Sequence, residues 1–201
     1  MPIMQGQEPV LNAANAWKEK CLIGDGSLFS NEQLWTKENI EALKENFTDN
    51  PLDDKRKFED KLIEQLKNTT TQVQQLAAEM LWVLYLFVHK TAMRPETKQS
   101  NIKKIWGLSG AKFNDSFLVN DDVLSGIGNP GQAYSQGRWR ELNFLIYLSI
   151  SLRKLTSLER YNVLSSAASF AVWLDTQNDA QNRQFRHIVL FLLFPGMSVF
   201  N

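Results

Sequence analysis

The segment from Val73 to Val88 constrains the fold more than any other part of the chain. Val73, Leu76, Ala77, Met80, Leu81, Leu84, Tyr85 and Val88 recur at three- and four-residue steps, and Trp82, Val83, Leu86 and Phe87 fill the opposite side. That spacing is helical. A helix that is apolar all round is stable only when other elements surround it, so the pattern predicts a buried central helix. Thr71-Gln72-Val73-Gln74 has the form of a capping box and predicts where the helix begins. Met80 to Val88 is the strongest apolar run, and it falls far below the ~18–20 residues that span a bilayer. No membrane partner is expected. Met1 to Val10 lacks the basic start and apolar stretch of a secretory signal, so the expected location is cytoplasmic.

The remaining apolar stripes predict helices on both sides of that centre. Leu11, Ala14, Trp17 and Cys21 mark one from about Pro9 to Ile23, ended by Gly24-Asp25-Gly26-Ser27. Thr36 can cap a second, with Ile40, Leu43 and Phe47 on one face before Asn50-Pro51 stops it. Phe58, Leu62 and Leu66 stripe a third between Lys55 and Lys67, and Ile102, Ile105 and Trp106 mark a fifth after Pro95. Gly107 to Gly137 carries six glycines and Pro130 and reads as a long loop, although Phe117 to Val123 could pass for a short strand. Trp139, Leu142, Leu145, Ile146, Ser149, Leu152 and Leu155 form the next helical stripe. Thr156-Ser157-Leu158-Glu159 is a capping box for a helix carrying Tyr161, Leu164, Ala168, Ala171 and Val172. Asn178-Asp179 opens a last helix through Phe185, Ile188, Val189 and Leu192, ended by Phe194-Pro195-Gly196. The expected fold is all-α: a single irregular bundle of about seven to eight helices, spanning 1–201 as one domain, around a buried central helix with a long Gly-rich loop.

Composition removes several function classes. With 43% hydrophobic and 22% charged residues the chain is neither disordered nor fibrous. Lys+Arg 22 against Asp+Glu 22 leaves a formal net charge of +0, so no global field draws it to polyanions and any such binding needs a local patch. Cys21 is the single cysteine, which excludes an internal disulfide and a cysteine-based zinc cluster. His89 and His187 are the only histidines and have no metal-ligand spacing, so no metal site is expected.

No enzyme active site is legible. Gly126-Ile127-Gly128-Asn129-Pro130-Gly131 matches the G-x-G-x-x-G spacing that lets backbone close on a pyrophosphate, but no strand precedes it and Pro130 removes a donor. A turn is the simpler reading, and no cofactor is expected. No G-x-x-x-x-G-K-[ST] segment is present, so the chain has no nucleotide site of that type. Asp53-Asp54 and Asp121-Asp122 look like acid pairs, yet adjacent residues on a helix point about 100° apart and such acids read as turn formers or solvated faces. Cys21 lies on an apolar stripe and reads as a buried, inert thiol. A small-molecule enzyme built on the Gly107 to Gly137 loop would need acids or bases that the sequence does not assemble there.

Charge is distributed unevenly. Acids outnumber bases between Lys37 and Lys67, whereas bases outnumber acids between Arg138 and Phe194, where arginine almost completely replaces lysine. Arginine is the better fork for phosphates and for buried carboxylates. Arg138-Trp139-Arg140 interleaves base and aromatic as nucleic-acid surfaces do. Arg138, Arg140, Arg183 and Arg186 are therefore the candidate nucleic-acid-binding residues. Internal salt bridging is the competing reading.

Three stretches carry a resemblance: Trp17-Lys18-Glu19-Lys20-Cys21 followed by Asp25-Gly26-Ser27-Leu28-Phe29, then Leu76-Ala77-Ala78-Glu79-Met80-Leu81-Trp82-Val83-Leu84-Tyr85, and Arg186-His187 leading into Phe191-Leu192-Leu193-Phe194-Pro195. Together they resemble the N-terminal region that precedes the ATPase module in some McrB-like AAA+ proteins of bacterial restriction systems. In that family the motor hydrolyses nucleotide and drives a nuclease partner, while the N-terminal region selects the target, often DNA with modified bases. The resemblance implies a non-catalytic N-terminal domain acting in target DNA recognition or in contacts with nuclease or ATPase subunits, and hence a place in phage defence. The chain departs from the family in lacking the motor's phosphate-binding loop, so an ATPase module would lie downstream, and in being helical where the better understood DNA readers are β-rich. The alternative is a protein–protein interaction module without nucleic-acid binding, which the zero net charge favours.

Overall fold

The structure, a computed structural model, describes residues 6–114, 116–177 and 183–196. Among the described residues the architecture is all-helical. Helix α1 (Glu8–Trp17) runs on into a wider π-helical segment, Lys18–Ile23, which ends where Gly24 turns extended. Helix α2 (Lys37–Leu43) continues in the same way through Lys44–Thr48. Then come α3 (Phe58–Leu66), α4 (Thr71–Leu86) and α5 (Pro95–Gly107), the short α6 (Asp121–Leu124) and α7 (Gln132–Gln136), and α8 (Arg138–Arg153). Helices α9 (Ser157–Val163), α10 (Ala167–Asp175) and α11 (Gln184–Leu193) complete the series. The expected opening of the last helix at Asn178-Asp179 lies outside the described residues.

Every residue of α4 from Val73 to Leu86 is buried, and the helix packs against α1, α2, α5, α6 and α8. Buried side chains from Val10 to Leu193 form one continuous cluster around it. The Thr70 hydroxyl caps α4 by accepting from the Val73 amide at 3.4 Å, one residue before the predicted cap. Gln74, the fourth residue of the expected box, donates instead to the Leu66 carbonyl at 3.0 Å. The second predicted box does form, with the Thr156 hydroxyl and the Glu159 carboxylate each accepting from the other's backbone amide.

Differences from the sequence expectation concern short elements. Eleven α-helices stand among the described residues, more than the seven or eight expected. The Gly107 to Gly137 region is not one continuous loop, since it holds α6, α7 and a 3-10 turn at Phe117–Val119. The possible strand at Phe117 to Val123 is helical because Ser116 and Asn120 side chains cap two successive turns, accepting from Leu118 and Val123 amides. Elements of four or five residues are too short to show a periodicity. The helix expected from Thr156 to Val172 is two, interrupted where the Ser166 hydroxyl accepts from the Ser169 amide at 3.1 Å and starts α10.

The end of α4 explains the glycine-rich motif. Val88 leaves the helix and forms an isolated bridge with Gly128, while the Phe87 carbonyl accepts from the Ile127 and Gly128 amides at 3.1 and 2.9 Å. Gly126 has φ +64°, and a Cβ there would stand 2.0 Å from the Val88 carbonyl oxygen. A Cβ on Gly128 would meet the Phe87 ring at 2.4 Å. These glycines let backbone close on backbone, and the Ile127 and Gly128 amides are spent on Phe87.

Lys98 completes this junction. Its side chain is fully buried and its Nζ donates to the carbonyls of Tyr85, Val88 and Leu124 at the ends of α4 and α6, the Tyr85 carbonyl accepting from the Val88 amide as well. Loss of hydration lowers the lysine to about 7.

Candidate nucleic-acid and partner interface

The starts of α8 and α11 lie side by side because Glu141, buried on α8, accepts from the Phe185 amide at 3.0 Å and Phe144 packs edge-on to Phe185. The two helix starts that carry Arg138, Arg140, Arg183 and Arg186 are therefore neighbours, and Arg140 and Arg183 both act on the Glu141 carboxyl. Two of the four are committed to carboxylates. Arg138 pairs with Glu59 at 3.0 Å and lies over the Phe58 ring, and Arg186 pairs with Asp175. Arg183 is half-buried and its charge lowers the Glu141 carboxyl, which burial otherwise raises. Arg140 is exposed and lies over Trp139, its centre 5.0 Å from the ring centroid, and Trp139 itself is 48% exposed.

The preference for arginine in this half has a structural cause elsewhere. Arg153 donates to the carbonyls of Cys21, Leu22, Gly24 and Trp35, and Arg160 donates to Ile23. Both guanidinia lie 3.2 Å from Asp25 Oδ1. A planar group with five donors can close several carbonyls at once, which an ammonium cannot do in the same plane. Burial lowers Arg153 to about 10. Glu79, fully buried on α4, holds the same loop from below. Its Oε1 accepts from the Ser27 hydroxyl and the Leu28 and Phe29 amides, and its Oε2 accepts from Trp35 Nε1 at 2.6 Å. Burial raises this carboxyl and the four donors lower it, leaving it at about 7.

A second basic segment, which charge counts over whole halves of the chain conceal, runs through α5 and its flanks. Between His89 and Phe113 the bases Lys90, Arg94, Lys98, Lys103, Lys104 and Lys112 face Glu96 alone, a local excess that a window of that length reveals. Lys98 is turned inward and Lys103 lies over the Phe113 ring. Lys90, Arg94, Lys104 and Lys112 are exposed and form no ion pair among the described residues. Phe117, 61% exposed, belongs to the turn that Gln99 of α5 binds through the Val119 carbonyl. The two basic regions are neighbours, since Ala92 and Met93 line one cavity with Ser135 and Arg138.

The other candidate groups are accounted for locally. Asp54 pairs with Arg56 at 2.7 Å, and these hydrogen bonds hold its carboxyl at about 2. Asp121 and Asp122 are exposed in the first turn of α6. Burial raises the Cys21 thiol well above its ordinary value, so it is a poor nucleophile. His187 is exposed, and His89 Nδ1 lies 2.9 Å from the Thr91 hydroxyl. Among the described residues no cluster of three His, Cys, Asp or Glu side chains comes together as a metal site would require. No described helix is long and apolar enough to cross a membrane. An exposed apolar group, Leu158 and Tyr161 on α9 and Val172 on α10, lies on adjoining helices. Comparison with known proteins finds no matching family model, no matching curated protein and no matching solved structure.

Proposed function

We propose that this chain is a non-catalytic helical N-terminal domain of a McrB-like restriction ATPase, working in the bacterial cytoplasm and contacting target DNA chiefly through the phosphate backbone. The observation that carries the reading is the set of exposed, carboxylate-free cations on and beside α5, namely Lys90, Arg94, Lys104 and Lys112. Arg140 with Trp139 extends this set from the neighbouring start of α8. Several cations acting together hold a polyanion without reading sequence. Arg138 and Arg186, already paired, contribute to the surface mainly by positioning.

Fluorescence anisotropy on a labelled duplex, over a salt series, tests this. Replacing Arg94 and Lys104 with Ala should weaken binding and lower the slope of log affinity against log salt by about 0.9 for each phosphate no longer neutralised. An unchanged slope sinks the α5 assignment. Absence of binding to modified and unmodified duplexes alike, at low salt, favours the second reading, a module that contacts ATPase or nuclease subunits. The exposed Leu158, Tyr161 and Val172 on the adjoining helices α9 and α10 support that reading, because large apolar side chains gathered on a water-facing surface are a mark of a protein contact.

A further inference from the structure

Trp139 is a feature that binding to the phosphate backbone does not use. The indole is 48% exposed in the first turn of α8 and stands outside the core cluster. The other tryptophans are placed differently: Trp17, Trp35, Trp82 and Trp106 are buried, and Trp173 is half-buried and stacked on the Phe170 ring, with centroids 5.8 Å apart. Adjacent residues on a helix point about 100° apart, yet Arg140 folds back over the indole to 5.0 Å from its centroid. An exposed cation–π contact is weak, so a base can take the place of the guanidinium on the ring and leave it beside the stack for a phosphate. Further cations lie nearby. Ser135 and Arg138 at the α7–α8 junction share a cavity lining with Ala92 and Met93, and the exposed Lys90 and Arg94 flank that turn with no ion pair among the described residues. Of the acids in these segments, Glu59 is paired with Arg138, Glu141 is buried and accepts from the Phe185 amide, and Glu96 is exposed against three cations, Lys90, Arg94 and Arg140. In a duplex the faces of the bases cover one another and only their edges show in the grooves. An unpaired base offers a free face to an aromatic ring.

We infer that Trp139 is a stacking platform for an unpaired base, and that the ligand of this surface is single-stranded DNA with its phosphates against Arg140, Lys90 and Arg94. This role rests on the DNA reading and narrows it to a strand with unpaired bases. The probes are a labelled oligothymidylate and a labelled duplex of the same length, each titrated with the full chain and followed by anisotropy. Trp139→Ala should weaken binding of the single strand by about five-fold or more, the worth of one stacked base, and leave duplex affinity unchanged. Trp139→Phe keeps a ring and should recover most of the loss. Arg140→Ala should lower the salt slope for the single strand by about 0.7 for the phosphate it no longer neutralises. A second readout needs no variant: because four of the six tryptophans are buried and Trp173 is stacked on Phe170, quenching of tryptophan emission on saturation with the strand reports Trp139. The quenching should vanish in Trp139→Phe. Equal losses for strand and duplex in Trp139→Ala, or emission unchanged at saturation, overturn the platform and leave backbone binding of DNA standing. Binding of neither probe at low salt removes the DNA reading and the platform with it.

Discussion

Glu79 offers the sharpest test of how this fold treats a buried charge. Glu79→Gln keeps the size of the side chain but replaces one acceptor by an amide donor. If the new oxygen stays with the Leu28 and Phe29 amides, the new NH₂ opposes Trp35 Nε1, and one or two buried donors lose their partner. At about 1–3 kcal/mol for each, the variant should lose about 2–4 kcal/mol. The pH dependence is more diagnostic than the size. The carboxyl stands at about 7 in the fold against an ordinary 4.5, so between these values the native state binds more protons than the unfolded state. The contribution of this residue is therefore complete below 4.5 and is lost as pH rises through about 7. Glutamine does not titrate. The stability gap between wild type and variant should therefore be wider at about pH 5 than at about pH 8, by about 2–3 kcal/mol. Urea unfolding at the two pH values, followed by tryptophan fluorescence, measures it. A gap that narrows toward acid would falsify this balance and show that the four donors outweigh burial.

Three further substitutions probe the packing. Lys98→Met should remove a stability increase that wild type shows above pH 7: the lysine stands at about 7 in the fold against an ordinary 10.5, so the unfolded state binds more protons and each pH unit in that window adds up to about 1.4 kcal/mol. Denaturant midpoints of both proteins at about pH 7 and 9 check this, and parallel curves refute it. Leu84→Ala, in the middle of the buried α4, should cost about 2–5 kcal/mol through lost transfer energy and the cavity left behind, and an unchanged melting temperature contradicts the placement. Gly126→Ala should prevent the α4 end from closing, because its φ is +64° and the new Cβ would overlap the Val88 carbonyl; far-UV circular dichroism and melting at wild-type values would show that the turn can move.

The helical architecture was legible in the sequence wherever a stripe ran for three turns or more. Periodicity over Val73 to Val88 predicted a helix buried on all sides, which holds as far as Leu86 before Val88 leaves the helix, and a Thr-x-x-Glu spacing placed the start of α9 to the residue. Glycine spacing alone could not say whether Gly126 to Gly131 closes on a phosphate or on another part of the chain; the answer came from where the end of α4 lies. Charge counts showed an arginine-rich half but not that Arg153 and Arg160 face inward to carbonyls, nor that Arg138 and Arg186 have carboxylates beside them. The cations with no such partner, around α5, were hidden by a net charge of zero. Local pattern determines an element because the residues that form it are three and four apart. Tertiary structure alone decides which charges meet, because Glu59 and Arg138, or Asp25 and Arg153, are brought within hydrogen-bonding range by segments far apart in the chain.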